Sequence, residues 1–536
     1  MTTRATASRS LVGAALVSLL LASASAANAQ AGPSPVPPPP PFSAPVPPPP
    51  PFSVPVSTDK GQVQGYPGIE PGVVAFLGIP FGAAPVGELR WKAPQPVAPW
   101  QGVRDGKHFK PACIQASGLP RYKNAAVDLA ESPPASEDCL YLNVWTGAAA
   151  PGEKRPVMLW LYGGAYTDGG GNSPYQRGDH LAANGAVVVS MNYRLGGLGF
   201  LVHPDLAKES GHNASGNYAL ADAIAAMTWI KANIAQFGGD PSNVTLAGES
   251  AGGLSTMAVL AVPSARGLYH RAIVQSGGGW YPVQSVAVKE EQGVKLLAPT
   301  GATAQSTLAE LRAIPVDRLA GLAGDYGPYP DGVLMPETPT QAIAHGRFPD
   351  VPLMIGWNSG EDTLMGPSPL PAATLAQIPP IARMVYPKEA AEGDEALARV
   401  IFTDSLFGAS ARWVAAQTAS GQPSFLYHFS YIPEALRGKR TSAGHATEIP
   451  YVWKTWGRPV GDIIAPDAPL AELMHACWVG FIKTGAPACG STPWPAYAAS
   501  ADQLMEFTTD SGVRTGFKKS AFTAQELVWL PQLGLK

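Results

Sequence analysis

The chain has 536 residues, 46% of them hydrophobic and only 14% charged, with a formal net charge of −3. That apolar content excludes a disordered chain, and 37 basic against 40 acidic residues give no electrostatic grip on nucleic-acid phosphates. Glycine (58) and proline (56) are both abundant, but fourteen of the prolines lie between Pro33 and Pro55, so much of that excess is local.

Arg4 and Arg9, the apolar run Leu11–Leu21 and Ala27-Asn28-Ala29 before Gln30 read as a secretory signal over residues 1–29. The run is short and rich in small residues for a bilayer span, so a cleaved leader is expected rather than a membrane anchor. No comparable apolar run follows, so no stable membrane insertion is expected, and the protein is placed outside the cell or in the periplasm. Residues 30–55 repeat a unit: Pro35 to Ser43 recurs ten residues later as Pro45 to Ser53. Proline runs favour extended polyproline II without a core. This segment is read as a passive tether; the alternative is a docking motif for an unknown partner.

Four cysteines in an exported chain point to disulfides rather than metal. Cys113 and Cys139 are too far apart for a metal knuckle and suit the closure of a loop. Cys477 shares a helical stripe with Leu470, Leu473, Met474, Trp478 and Phe481. It reads equally as a buried thiol or as the partner of Cys489. No Cys/His cluster has zinc-like spacing and no glycine motif cradles a phosphate, so neither metal nor cofactor is expected.

From residue 56 to 536 the chain reads as one domain in which short β-branched runs alternate with helices. Val157–Tyr162, Val187–Asn192, Val244–Ala247, Ala272–Gln275 and Leu353–Gly356 are continuous apolar runs, as strands buried on both faces of a parallel sheet require. Between the second and third lies a helix with Leu220, Ile224, Met227, Ile230, Ile234 and Phe237 on one face, ending at Gly238-Gly239. The alternation implies an α/β fold, a large and mostly parallel twisted sheet flanked by helices. Ligands then bind at the carboxyl ends of its strands.

Gly248-Glu249-Ser250-Ala251-Gly252 follows one such strand and opens a helix, the context of a nucleophile elbow. A neutral serine needs a base, and in this arrangement acid and histidine follow the serine in that order. His428, His445 and His475 lie far enough along. His428 sits in the strand-like Ser424–Ser430, and His475 faces away from the apolar stripe of its helix. His445, in a small-residue loop, can be aimed freely. Glu361, just past the Leu353–Gly356 strand, is the acid, with Asp362 its neighbouring competitor. Gly163-Gly164-Ala165 directly after the Val157–Tyr162 strand, with the N–H of Ala251, suits an oxyanion hole.

With these residues in place the sequence resembles the type-B carboxylesterase/lipase family of α/β-hydrolases, which includes cholinesterases and p-nitrobenzyl esterases. Phe76–Phe81, Pro85–Trp91, Ser136–Asn143 and Phe237–Pro241 carry the likeness. It implies an α/β-hydrolase fold and a Ser250, Glu361, His445 triad. It further implies oxyanion donors at Gly164, Ala165 and Ala251, and a Cys113–Cys139 disulfide. Glu249, as in similar enzymes, would stabilise the protonated His445, unless it is simply a buried polar residue. Ser276 resembles a serine that supports the site. Arg90 with Glu137, and Arg194 with Asp222, look like structural ion pairs. Ala446 and Asp362 stand where the family usually has glycine, and Tyr162 resembles the cholinesterase form.

The expected activity is hydrolysis of uncharged small to medium carboxylic esters through an acyl-enzyme. A lipase, an acyl-transferring relative or a non-catalytic recognition module are the alternatives. The intact serine, acid and histidine argue against the last. In cholinesterase-like relatives the first disulfide loop supplies a tryptophan to a quaternary ammonium. Here that loop has only Tyr122, between Arg121 and Lys123, so no choline preference is expected unless Trp280 or Trp357 supplies the cation site.

Overall fold

The apolar runs form the middle of an eleven-stranded sheet. Its order is Gly512–Thr515, Gln503–Phe507, Ser424–Phe429, Leu353–Asn358, Arg271–Gln275, Gly239–Glu249, Arg155–Leu161, Val187–Met191, Tyr141–Thr146, Val74–Pro80, Tyr66–Pro67. From Gln503–Phe507 to Val187–Met191 every pair is parallel; both edges are antiparallel. Val187–Met191 and Leu353–Asn358 are buried at every position, because helices cover both faces of the sheet. The computed structural model describes residues 52–115, 133–281, 283–455 and 464–535. The expected leader, nearly all of the proline segment, and Tyr122 with its two basic neighbours lie outside these residues.

This is the expected mostly parallel α/β sheet; four of the five apolar runs belong to longer strands, while Val187–Met191 stops one residue short of its run. Gly239–Glu249 begins five residues before Val244, since polar residues continue the strand where it leaves the core. The expected helix runs from Tyr218 to Asn233, tightens into a 3-10 turn over Ile234–Phe237 and stops at Gly238, whose φ is +79°. Gly239 then opens the next strand.

Two details differ from the sequence reading, and one left open is decided. Phe52, assigned to the linker, is buried and packs edge-on against Phe76 with centroids 5.7 Å apart, so the folded body includes it. His475 is buried rather than turned out, its Nδ1 2.8 Å from the carbonyl of Val452, because the helix Ala468–Thr484 is covered on that side too. Cys477, left open above, is bonded to Cys489, where the chain folds back after Gly485. The Cys113–Cys139 bond is present. So are the two ion pairs, Arg90–Glu137 at 2.7 Å and Arg194–Asp222 at 2.6 Å. Among the described residues no helix is long and apolar enough to cross a membrane.

After Arg155–Leu161 the chain adds Val187–Met191 on one side, and then Gly239–Glu249 on the other. A crevice opens at such a reversal, at the carboxyl ends of the strands. Gly163–Ala165 and Ser250 emerge there.

Candidate active site

Ser250 connects the strand Gly239–Glu249 to the helix Ala251–Leu260 at φ 56°, ψ −125°. A non-glycine residue in that region stores about 1–3 kcal/mol of strain. Neighbouring backbone holds it: Ser250 N–H donates to the Gln275 carbonyl (2.9 Å), and Leu254 N–H donates to the Ser250 carbonyl (2.9 Å). Gly252 is obligatory at this corner, because a Cβ there would lie 1.9 Å from the Leu161 carbonyl oxygen.

Glu361 is fully buried just beyond the strand Leu353–Asn358. Its Oε1 accepts from Ser276 Oγ (2.7 Å) and from the N–H of Asn358 (2.7 Å), and its Oε2 lies 2.5 Å from His445 Nδ1. The two loops are tied together: Gly360 N–H donates to the Ala443 carbonyl (2.7 Å), Ala443 N–H to Ser359 Oγ (2.9 Å), and His445 N–H to Thr363 Oγ1 (3.0 Å). Asp362, the competing acid, is taken by Arg399 at 3.4 Å instead. Ala446 has φ 65°, in the left-handed region that favours glycine, so the substitution there is borne as strain.

A cavity of about 350 Å³ is lined by Gly163, Gly164, Ala165, Glu249, Ser250 and His445, among others. The turn after Leu161 is closed by the N–H groups of Thr167 and Asp168, both donating to the Gly164 carbonyl at 3.0 Å. Ala251 is the first helical residue, so its N–H has no intrahelical acceptor. His445 Nε2 lies 3.1 Å from Glu249 Oε1, yet neither atom is in hydrogen-bonding alignment with any partner. Such bonds are often misaligned before substrate binds.

Glu448, three residues past His445, was not singled out from sequence. It is fully buried, accepting from Gln275 Nε2 (2.9 Å) and Asn358 Nδ2 (2.6 Å), while Trp478 Nε1 donates to Gln275 Oε1 (2.9 Å). Three carboxylates therefore surround one imidazole. Burial raises Glu249, and Glu448 and Glu361 raise it further against the opposing pull of His445. Burial also raises Glu448. Burial alone would lower His445, but Glu249, Glu361 and Glu448 reverse this and hold it above the usual imidazole range. The arrangement can accept a proton at Nε2 and stabilise the resulting cation.

Tyr162 is buried and stacked on Tyr193 at 4.2 Å, donating to the Tyr193 carbonyl at 3.0 Å. It therefore braces the strand end. Trp357 lies among His428, Phe517 and Phe522, and Trp280 against Trp413; neither lines the cavity.

The fold and this corner define an α/β-hydrolase. The carboxylesterase family matches residues 53–379 and 382–525, and the chain belongs to it. It is 36% identical over 486 residues to the fumonisin B1 esterase of Sphingopyxis macrogoltabida, covering 86% of this chain and 87% of that one. The para-nitrobenzyl esterase of Bacillus subtilis (strain 168) is 34% identical over 471 residues, covering 82% and 92%. A thermophilic PNB esterase structure superposes with a TM-score of 0.76 at 30% identity, covering 88% of this chain and 99% of its own. The protein is a carboxylic ester hydrolase.

Proposed function

We propose that the protein is an exported serine carboxylesterase in which Ser250 attacks the ester carbonyl. His445 Nε2 takes the serine proton and returns it to the leaving alcohol; water then cleaves the acyl-enzyme by the same route. Glu361 fixes the imidazole tautomer through Nδ1 and stabilises its cation. The N–H groups of Gly164, Ala165 and Ala251 receive the negative charge that develops on the carbonyl oxygen. Glu249 adds to the stabilisation of the imidazolium, and Ser276 holds Glu361. The observation that carries this reading is the 2.5 Å contact of Glu361 with His445, whose Nε2 edge shares a cavity with the strained Ser250.

The substrate is an uncharged ester of small to medium size. A volume of about 350 Å³ is at the small end of ligand sites. Asp168 lines it and no Lys or Arg does, among the described residues, which disfavours anionic esters. Among the described residues no tryptophan lines it to hold a quaternary ammonium. Export is supported by the leader-like start and by two disulfides. The proline segment serves as a tether.

An organophosphonate should label the protein once, at Ser250, and Ser250→Ala should remove the label. Labelling of another residue would move the nucleophile elsewhere. A choline ester should show no advantage above about tenfold in kcat/KM, equivalent to about 1.4 kcal/mol, over its 3,3-dimethylbutyl isostere.

A further inference from the structure

Gln176 ends the 3-10 turn Pro174–Gln176, which packs against the helix Ile449–Trp453 just after His445. Thr455 Oγ1 donates to the Tyr175 carbonyl at 3.1 Å and pins the turn. The residue is only 4% exposed, yet it lines the same cavity as Ser250 and His445. Its Oε1 is buried without a hydrogen-bond partner, and no hydrogen bond among the described residues holds either end of the amide.

A buried amide oxygen that no protein group satisfies is costly to keep, whereas methionine or leucine would fill the same space with no polar atom to pair. Its presence on the cavity wall is explained if the substrate completes it. The other lining side chains sharpen the choice of group. Leu364, Ala446 and Ile449 are apolar, while Asp168 is acidic and disfavours a carboxylate on the substrate. A hydroxyl is neutral, donates as well as accepts, and so answers the amide in either orientation about its terminal torsion. A site with a polar group to pair discriminates strongly against an isostere that leaves that group unpaired.

We propose that Gln176 is a specificity-determining residue that selects esters carrying a neutral hydroxyl on the acyl or alcohol part. This deepens the esterase reading and rests on it. Two isosteric pairs test it: ethyl 3-hydroxybutyrate against ethyl 3-methylbutyrate for the acyl side, and 2-hydroxyethyl butyrate against propyl butyrate for the alcohol side. The wild-type enzyme should favour the hydroxyl member of at least one pair by about tenfold or more in kcat/KM. Gln176→Met should bring that ratio to one or below, and Gln176→Asn, which withdraws the amide by one methylene, should leave it between the two. Phosphonate labelling of Ser250 reports that each variant is folded; if the methionine variant is not labelled, the asparagine ratio decides. Wild-type ratios near one in both pairs, or a ratio unchanged by substitution, would overturn the proposal. Failure of the esterase reading looks different: no label at Ser250 and turnover of neither member.

Discussion

The serine side of the cavity is held by backbone, and the histidine side by side chains that reach across two loops. Ser250 owes its position to a strained φ of 56°, carbonyl contacts and glycines with no room for a Cβ. His445 owes its position to Glu361, which is held in turn by Ser276 and Asn358. Steric placement fails abruptly, because a clash of that size cannot be absorbed without moving a sheet strand. Placement by hydrogen bonds fails in steps, one bond at a time. Substitutions on the two sides should therefore differ in kind as well as in size.

The largest effects are expected at the proposed reacting groups. Ser250→Ala should lower kcat by about 10⁴ or more, and His445→Ala by a similar factor, because the two act as a unit. A purified His445→Ala protein with more than a few per cent of wild-type kcat would separate the histidine from the serine. Gly252→Ala adds no chemistry and removes none, yet its Cβ falls 1.9 Å from the Leu161 carbonyl oxygen. It should lower Tm and abolish phosphonate labelling together. Wild-type labelling in that variant would mean that the elbow tolerates a shift.

The loop side is expected to be graded. Glu361→Gln keeps the size and part of the hydrogen bonding, and should retain about tenfold or more of the activity that His445→Ala loses. Ser276→Ala removes one of three bonds to that carboxylate, worth about 1 kcal/mol, or about fivefold in kcat with KM little changed. A Ser276→Ala loss as large as that of Glu361→Gln would show that the loop pair behaves as rigidly as the elbow.

This division also explains what was legible in the sequence. The elbow was readable because strain and close approach demand particular residues at particular spacings, Gly248 and Gly252 around Ser250 after an apolar strand. The pairing of Glu361 with His445 rested on chain order and on loops rich in small residues, since no spacing rule links positions brought together only by the sheet. Glu448 went unnoticed because nothing local marks it. Its role depends on Gln275 and Asn358, which arrive from two other strands, and its place three residues after His445 was the only signal. Gln176 was hidden for the same reason. Phe52 was missed because a proline repeat conceals a single aromatic residue whose packing partner, Phe76, lies outside the repeat. The Cys477–Cys489 bond stayed open because a cysteine on an apolar stripe has the same pattern whether free or bonded.

The smallest effect concerns the proton itself. In the proposed mechanism His445 acts as a base only when neutral, so kcat/KM should rise with pH through its ionisation. The surrounding carboxylates hold the imidazole above its usual range, which places this rise above the free-imidazole value of about 6.5. Glu249 is itself raised by burial and by Glu448 and Glu361. As pH climbs, Glu249 loses its proton and then tightens the hold on the one carried by His445, 3.1 Å away. The two groups titrate as a pair, and the wild-type rise should be broader than a single ionisation. Glu249→Gln removes the charge while keeping the shape. Its profile should sharpen to one ionisation and move to lower pH, by about one unit for the loss of one adjacent charge. A move to higher pH would mean that Glu249 opposes the imidazolium, and an unchanged profile would mean that Glu361 and Glu448 set the base without it. The unchanged profile would assign the electrostatics of the site wholly to the loop side, leaving the elbow with a steric role only.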